Sequence, residues 1–187
     1  MRFDYQFAVK EYEKVKIYLE KYGYRCEITG SLRREREDIG DIDIVVGNQL
    51  SLSDSLSIHE YSDSAQMSKS EMWSKREKVR LERKECLEEL EIEVLEIVSK
   101  CSQVKRRINY YEFLLESGIS IHMIPEISKH FNYTLWHSTG PKPHVKLIKK
   151  IYEKKDIKIN MENTIENQIY EDIDLEYFQP KDRWKLV

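Results

Sequence analysis

Gly30-Ser31-Leu32-Arg33-Arg34, followed after six residues by Asp41-Ile42-Asp43-Ile44-Val45-Val46, is the stretch that decides the fold. Its second half is rich in β-branched residues and predicts a strand, entered from Gly40 and closed by Gly47-Asn48. Residues i and i+2 of a strand point to one face, so Asp41 and Asp43 stand side by side, about 7 Å apart at the backbone. Ile42 and Ile44 then face the core. Two neighbouring carboxylates repel, and each raises the other's proton affinity unless a cation intervenes. A pair of Mg²⁺ ions would remove that penalty, one activating a hydroxyl and the other holding a triphosphate. Upstream, Gly30 permits close approach of a phosphate to the backbone. If the chain turns into a helix there, exposed N–H groups and the Ser31 hydroxyl form an anion cradle, to which Arg34 adds a fork of donors. An Asp-x-Asp pair alone is usually just a solvated strand face. Joined to Gly-Ser-x-Arg-Arg, it points to metal-dependent nucleotide binding.

Before this stretch, residues 4–22 read as an amphipathic helix carrying Phe7, Val15, Tyr18 and Leu19, stopped by Gly23. Arg25 to Thr29 is a short strand. After it, residues 51–70 are Ser-rich, a loop or a short helix, and a charged helix runs from Glu71 to about Leu90. Glu91 to Val98 alternates and predicts a strand from about Glu93, with helix as the alternative. Arg107 to Leu115 and Ile119 to Ile124 read as further strands, the last closed by Pro125. Residues 126–131 suggest a short helix, and Tyr133 to His137 an extended segment. A turn is expected at Thr139-Gly140-Pro141, a basic helix over His144 to Lys155, and a short helix near Thr164 to Tyr170. Strands and helices without regular βα alternation predict an α+β fold around a mixed sheet.

The 187 residues carry 31 basic and 34 acidic side chains, so any nucleic-acid partner must be held by local patches rather than by global charge. Three patches exist: Lys75 to Lys84, Lys105-Arg106-Arg107, and Lys142, Lys146, Lys149 and Lys150. With 35% charged residues, the first reads equally well as a solvated helix face. Cys26, Cys86 and Cys101 lie far apart without a C-x-x-C pair, which suggests neither a disulfide framework nor a zinc site. Cys26 reads as a buried thiol. Neither a signal peptide nor an apolar stretch of about 18 residues is present, which predicts a soluble intracellular protein of the cytoplasm.

The combination of Gly30-Ser31-Leu32-Arg33-Arg34 with Gly40-Asp41-Ile42-Asp43 resembles the palm motif of the polymerase beta-like family X of DNA polymerases. The resemblance extends, at varying strength, from about residue 5 to the C-terminus. It implies that Gly30, Ser31 and Arg34 contact the triphosphate and that Asp41 and Asp43 bind both metals, Mg²⁺ or Mn²⁺. Ile119-Ser120-Ile121-His122-Met123-Ile124-Pro125 looks like a later palm strand. Ser138-Thr139-Gly140 through His144 is similar to the thumb segment that seats the nucleotide, implicating Thr139, Gly140 and, by position, His144. Gln179-Pro180-Lys181-Asp182-Arg183 resembles the family's closing motif and implies a chain complete at its C-terminus. The arrangement implied is the family's minimal form, a nucleotidyltransferase palm over residues 1–127 and a thumb-like subdomain over 128–187. A lyase domain and DNA-gripping fingers are not expected. DNA grip would fall to Lys105, Arg106 and Arg107 and to Lys142, Lys146 and Lys149.

Two departures matter. The family carries a third catalytic aspartate where this chain has Ser120, and often an arginine where it has Gly118. A neutral serine is a poor magnesium ligand, so nucleotide binding is expected to survive better than chemistry. Glu93 and Glu96 are the nearest candidates for a replacement carboxylate. In the thumb, Val145 stands where the family often has an asparagine reading the base edge, and Lys149 where an arginine often contacts the template. His122, His130, His137 and His144 lack tight ligand spacing. His137 is a candidate to act one step behind the nucleotide contacts, while Phe131, Tyr133 and Trp136 are expected to pack the thumb, and one of Tyr110 and Tyr111 the core.

The leading expectation is a gap-filling, DNA-directed DNA polymerase, impaired at the third carboxylate position. It would act as a monomer on gapped or primed DNA with a deoxynucleoside triphosphate. The rivals are a polymerase-like DNA- or nucleotide-binding module without catalysis, and a nucleotidyltransferase with a non-DNA acceptor.

Overall fold

A computed structural model describes residues 1–48, 69–162 and 164–186. The Ser-rich segment expected to be a loop or short helix lies, apart from its last two residues, outside them. The fold is a mixed α+β arrangement around a central mixed sheet. Strand β1 (Phe3–Asp4) leads into α1 (Tyr5–Glu20), whose start is fixed by Asp4, its carboxylate accepting from the Gln6 and Phe7 backbone N–H groups at 2.8 and 3.2 Å. The buried stripe of α1 is Ala8, Tyr12, Val15 and Leu19, which recur at helical spacing. Phe7 lies off this stripe and is exposed.

Next come β2 (Tyr24–Ile28), the short helix α2 (Gly30–Arg33), β3 (Asp38–Ile39) and β4 (Asp41–Asn48). Helix α3 (Lys69–Ser99) is followed by β5 (Val104–Arg107), β6 (Glu112–Leu115) and β7 (Ser120–Pro125). The five-stranded sheet has the order β2-β4-β7-β6-β5, in which β4 and β7 are parallel and the other pairs antiparallel. A small second sheet joins β1 to β3.

Helices α1 and α3 cover one face. Ile42, Ile44, Val46, Phe113, Leu115, Ile121 and Met123 meet Val15 and Leu19 of α1 and Leu90, Val94 and Val98 of α3 in the main core. The strand expected from about Glu93 is therefore helix. The apparent alternation rested on Ile92, which is 62% exposed, whereas Leu90, Val94 and Val98 recur every four residues on the buried side. The strand expected over Arg107 to Leu115 is two strands. Asn109 Oδ1 accepts from the Tyr111 and Glu112 backbone N–H groups, both at 3.0 Å, and this side-chain-capped turn reverses the chain. Tyr111 packs on the core and Tyr110 is exposed.

A single 3₁₀ turn (Ser128–His130) runs into α4 (Phe131–Thr139), so the extended segment expected at Tyr133 to His137 is also helical. Phe131, Leu135 and Thr139 provide its buried series. Helix α4 rests on the opposite sheet face, where Phe131 and Leu135 cover Val45. Gly47 makes this approach possible, because a Cβ there would lie 2.7 Å from both the Glu126 carbonyl oxygen and the Phe131 ring. Helix α5 (Lys142–Lys154), α6 (Glu166–Glu171) and a final 3₁₀ segment (Pro180–Leu186) gather around Trp136, Ile148, Tyr152, Ile169 and Tyr170. Among the described residues no helix is long and apolar enough to cross a membrane.

Candidate functional site

The parallel pairing of β4 with β7 sets Asp41 opposite Ser120 and Asp43 opposite His122. Directly opposed residues share a face, so both carboxylates, the serine and the histidine lie on the sheet face turned away from α1 and α3. Ile42 and Ile44 are fully buried on the other side, as the alternation requires. Burial, and then the charge of Asp43, push the Asp41 carboxyl above its ordinary range. His122 Nδ1 lies 3.1 Å from Asp43 Oδ1. This hydrogen bond raises the imidazole's proton affinity against the opposing effect of burial.

In the sequence His122 is a strand residue and one of several histidines without ligand spacing. Its partnership with Asp43 is a product of strand register, for which no local signal exists. Glu112, opposite His122 on β6, adds a third negative charge to this face and raises both Asp41 and His122. Glu93 and Glu96 sit instead on α3, where Glu96 pairs with Lys100 at 2.6 Å. Neither adjoins Asp41. Among the described residues, no group of three or more histidine, cysteine or carboxylate side chains is placed to hold a metal ion.

The Gly30 turn lies directly beside this face. Gly30 has φ 58°, a conformation that favours glycine, and a Cβ on it would stand 2.1 Å from Asp43 Oδ2 and displace that carboxylate. The Thr29 backbone N–H donates to the Asp43 carbonyl at 2.9 Å, which ties the turn to β4. Thr29 Oγ1 also lies 3.1 Å from Thr139 Oγ1 and 2.8 Å from Ser138 Oγ. The two segments singled out as nucleotide-binding, Gly30 to Arg34 and Thr139-Gly140, are thus brought together across more than a hundred residues of chain. Arg34 Nη1 donates to the Thr139 carbonyl oxygen, and its Nε is buried without a hydrogen-bond partner among the described residues. Ser31 is half-buried, its carbonyl accepting from the Arg36 backbone N–H at 3.2 Å. Gly140 has φ 63° and precedes a cis bond to Pro141.

Arg33, the unassigned member of the arginine pair, holds this assembly closed. Its guanidinium donates to Thr139 Oγ1 at 2.8 Å and to both oxygens of Glu166, at 2.7 and 2.8 Å. Glu166 also receives the Tyr177 hydroxyl at 3.0 Å and Arg183 Nη2 at 3.3 Å. Burial alone would raise the Glu166 carboxyl, but the bonds and charge of Arg33, aided by Arg183, hold it below its ordinary value. Arg183 is fully buried and donates also to the Phe178 and Trp136 carbonyls, each at 3.3 Å.

His144 is enclosed behind the turn. Its Nδ1 is 3.1 Å from the Arg183 carbonyl and its Nε2 2.9 Å from the Tyr170 hydroxyl. Burial, then the Arg183 charge, lower its pKa to about 4. Both ring nitrogens are engaged by the protein, so His144 supports the turn from beneath. Burial lowers His137 too, with Lys149 contributing. Phe131 and Trp136 are packed inside.

The basic residues divide by position. Arg106 is exposed on the edge strand, while Arg107 folds back onto the Asn109 and Tyr110 carbonyls. Lys105 is also exposed. Lys142 and Lys146 project from α5, with Lys149 half-buried on the same side. In the first patch, Lys78, Arg80 and Lys84 pair with Glu82, Glu77 and Glu88 of the same helix at 3.8, 3.7 and 3.5 Å. That is the pattern of a solvated helix face. Cys26 and Cys101 are buried free thiols and Cys86 is an exposed one. Compared with protein-family models and with curated proteins, the chain matches none.

Proposed function

We propose that this chain is a metal-dependent nucleotidyltransferase of the gap-filling DNA polymerase kind, with residues 1–127 as palm and 128–187 as thumb. It would join a deoxynucleoside monophosphate to a primer 3′-hydroxyl. The 3′-oxygen forms a bond to the α-phosphorus, the bond to the β-phosphate bridge breaks, pyrophosphate leaves, and the hydroxyl proton passes to solvent. The observation that carries this reading is the approach of Gly30 to Asp43, which puts the Gly30 turn beside two carboxylates on one strand face.

Asp41 and Asp43 fit a hard divalent cation. Both offer oxygen only, and the charge of Asp43, which after burial raises the proton affinity of Asp41, is what a cation would offset. Mg²⁺ or Mn²⁺ held there would supply charge neutralisation for the triphosphate and the departing pyrophosphate. The protein's own part is to hold the phosphates at Gly30, Ser31 and Arg34, to seat the sugar against Thr139 and Gly140, and to grip DNA through Lys105, Arg106, Lys142, Lys146 and Lys149.

Ser120 opposite Asp41 favours a second reading, a DNA- or nucleotide-binding module without catalysis. Labelled primer extension on a one-nucleotide gapped duplex separates the two, comparing this chain with Ser120→Asp and Asp43→Asn. Extension that disappears in Asp43→Asn, or that rises by about a hundredfold or more in Ser120→Asp, supports the polymerase. Silence in all three with intact DNA binding supports the module.

A further inference from the structure

Beyond the cradle, two guanidinium groups converge on one aromatic ring. The Arg34 Cζ lies 5.9 Å and the Arg36 Cζ 5.6 Å from the centroid of Trp184, which the final 3₁₀ segment carries to the surface and leaves 43% exposed. A ring face attracts each cation, which holds two like charges near each other without neutralising either. Several neighbouring charges are already matched. Arg33 and Arg183 pair with Glu166, and Glu35 pairs with Lys181 at 3.4 Å. Arg34 is left with a buried Nε that has no partner among the described residues. Burial, and then the Arg36 charge, lower the Arg34 guanidinium's proton affinity, against the opposing charge of Asp43. Arg36 is bound to the cradle itself, because its backbone N–H donates to the Ser31 carbonyl at 3.2 Å.

We infer that Arg36, oriented by Trp184, is a second anion-binding arginine that extends the Gly30–Arg34 cradle to take the terminal phosphates of a polyphosphate. The inference rests on the proposed nucleotide site and deepens it. It makes the site selective for a triphosphate over a monophosphate of the same nucleoside. The α-phosphate belongs beside the carboxylates, whereas the Arg34–Arg36 pair meets only a chain long enough to reach it. Trp184 is a positioning residue here, and a phenylalanine ring should serve in its place.

The test is calorimetric titration of the full chain with Mg²⁺ and four probes: a deoxynucleoside triphosphate, its diphosphate, its monophosphate and inorganic tripolyphosphate. Arg36→Ala should weaken triphosphate and tripolyphosphate binding about tenfold, as loss of a charge-assisted contact implies, while leaving the monophosphate unchanged. Trp184→Ala should show part of that loss, and Trp184→Phe close to none. Circular dichroism of each variant checks that it is folded. Nucleoside triphosphate binding that is indifferent to Arg36 overturns the inference and leaves the nucleotide site standing. Arg36-dependent binding of tripolyphosphate without any nucleotide binding keeps the anion site and defeats the proposed function. Equal losses for monophosphate and triphosphate also overturn the inference, because Arg36 would then not distinguish chain length.

Discussion

Asp43 and His122 face each other across the parallel strands β4 and β7, with Oδ1 and Nδ1 3.1 Å apart. This bond, and the charges of Asp43, Asp41 and Glu112, raise the imidazole's proton affinity against the opposing effect of burial. Its folded pKa lies above the unperturbed 6.5, so protonated His122 contributes stability that is present at low pH and lost as pH rises through the raised value. An NMR titration should find the His122 ring titrating above the free-histidine midpoint, and Asp43→Asn should move it down. A midpoint unaffected by Asp43→Asn would contradict the pairing.

Gly30 and Gly118 both have positive φ, 58° and 88°, yet only Gly30 has a neighbour that an added Cβ would strike. Gly118→Ala should cost about 1–2 kcal/mol from backbone strain alone. Gly30→Ala should cost more, because Asp43 must move, and it should also weaken Mn²⁺ binding. Urea unfolding of the two variants, with Mn²⁺ titration, checks both statements.

Glu166 gathers Arg33, Arg183 and Tyr177 on one carboxylate. Glu166→Ala should destabilise by about 3–5 kcal/mol, because it strands the fully buried Arg183 charge. Arg33→Ala, which leaves Arg183 and Tyr177 on Glu166, should cost less. Denaturant midpoints of the single and double variants give the coupling.

His144 supplies the acid limit of the C-terminal core. Its folded pKa of about 4 lies below the free value of 6.5, so the unfolded chain binds more protons between these limits. Stability should therefore fall as pH drops from about 6.5 towards about 4, and this contribution should be flat below. Unfolding free energy against pH for the chain and for His144→Gln should differ in slope within that window. Parallel curves would contradict the assignment.

The residues that make the candidate site legible in sequence are those with a local reason. Asp41 and Asp43 follow from strand alternation, and Gly30 from its place before Ser31, and the structure keeps all three together. Thr139 and Gly140 were marked by a turn, but their docking on Thr29 and Arg34 is a long-range fact. His122 and Glu166 carry no local signal at all. Both acquire their meaning from register or from folding of the C-terminal segment onto α2. Helix α3 misled where charged and β-branched residues alternate, because Ile92 points to solvent and only the four-residue spacing of Leu90, Val94 and Val98 identifies the buried side. The turn between β5 and β6 was hidden because Asn109 makes it without glycine or proline.

The central claim, that the Asp41–Asp43 face and the Gly30 turn form one metal–triphosphate site, is most directly tested by Mn²⁺ titration followed by electron paramagnetic resonance. The titration is run with and without a deoxynucleoside triphosphate. The account predicts Mn²⁺ binding that tightens when the triphosphate is present and is lost in Asp43→Asn. Mn²⁺ binding unchanged by Asp43→Asn, or no binding with triphosphate by the folded chain, would contradict it.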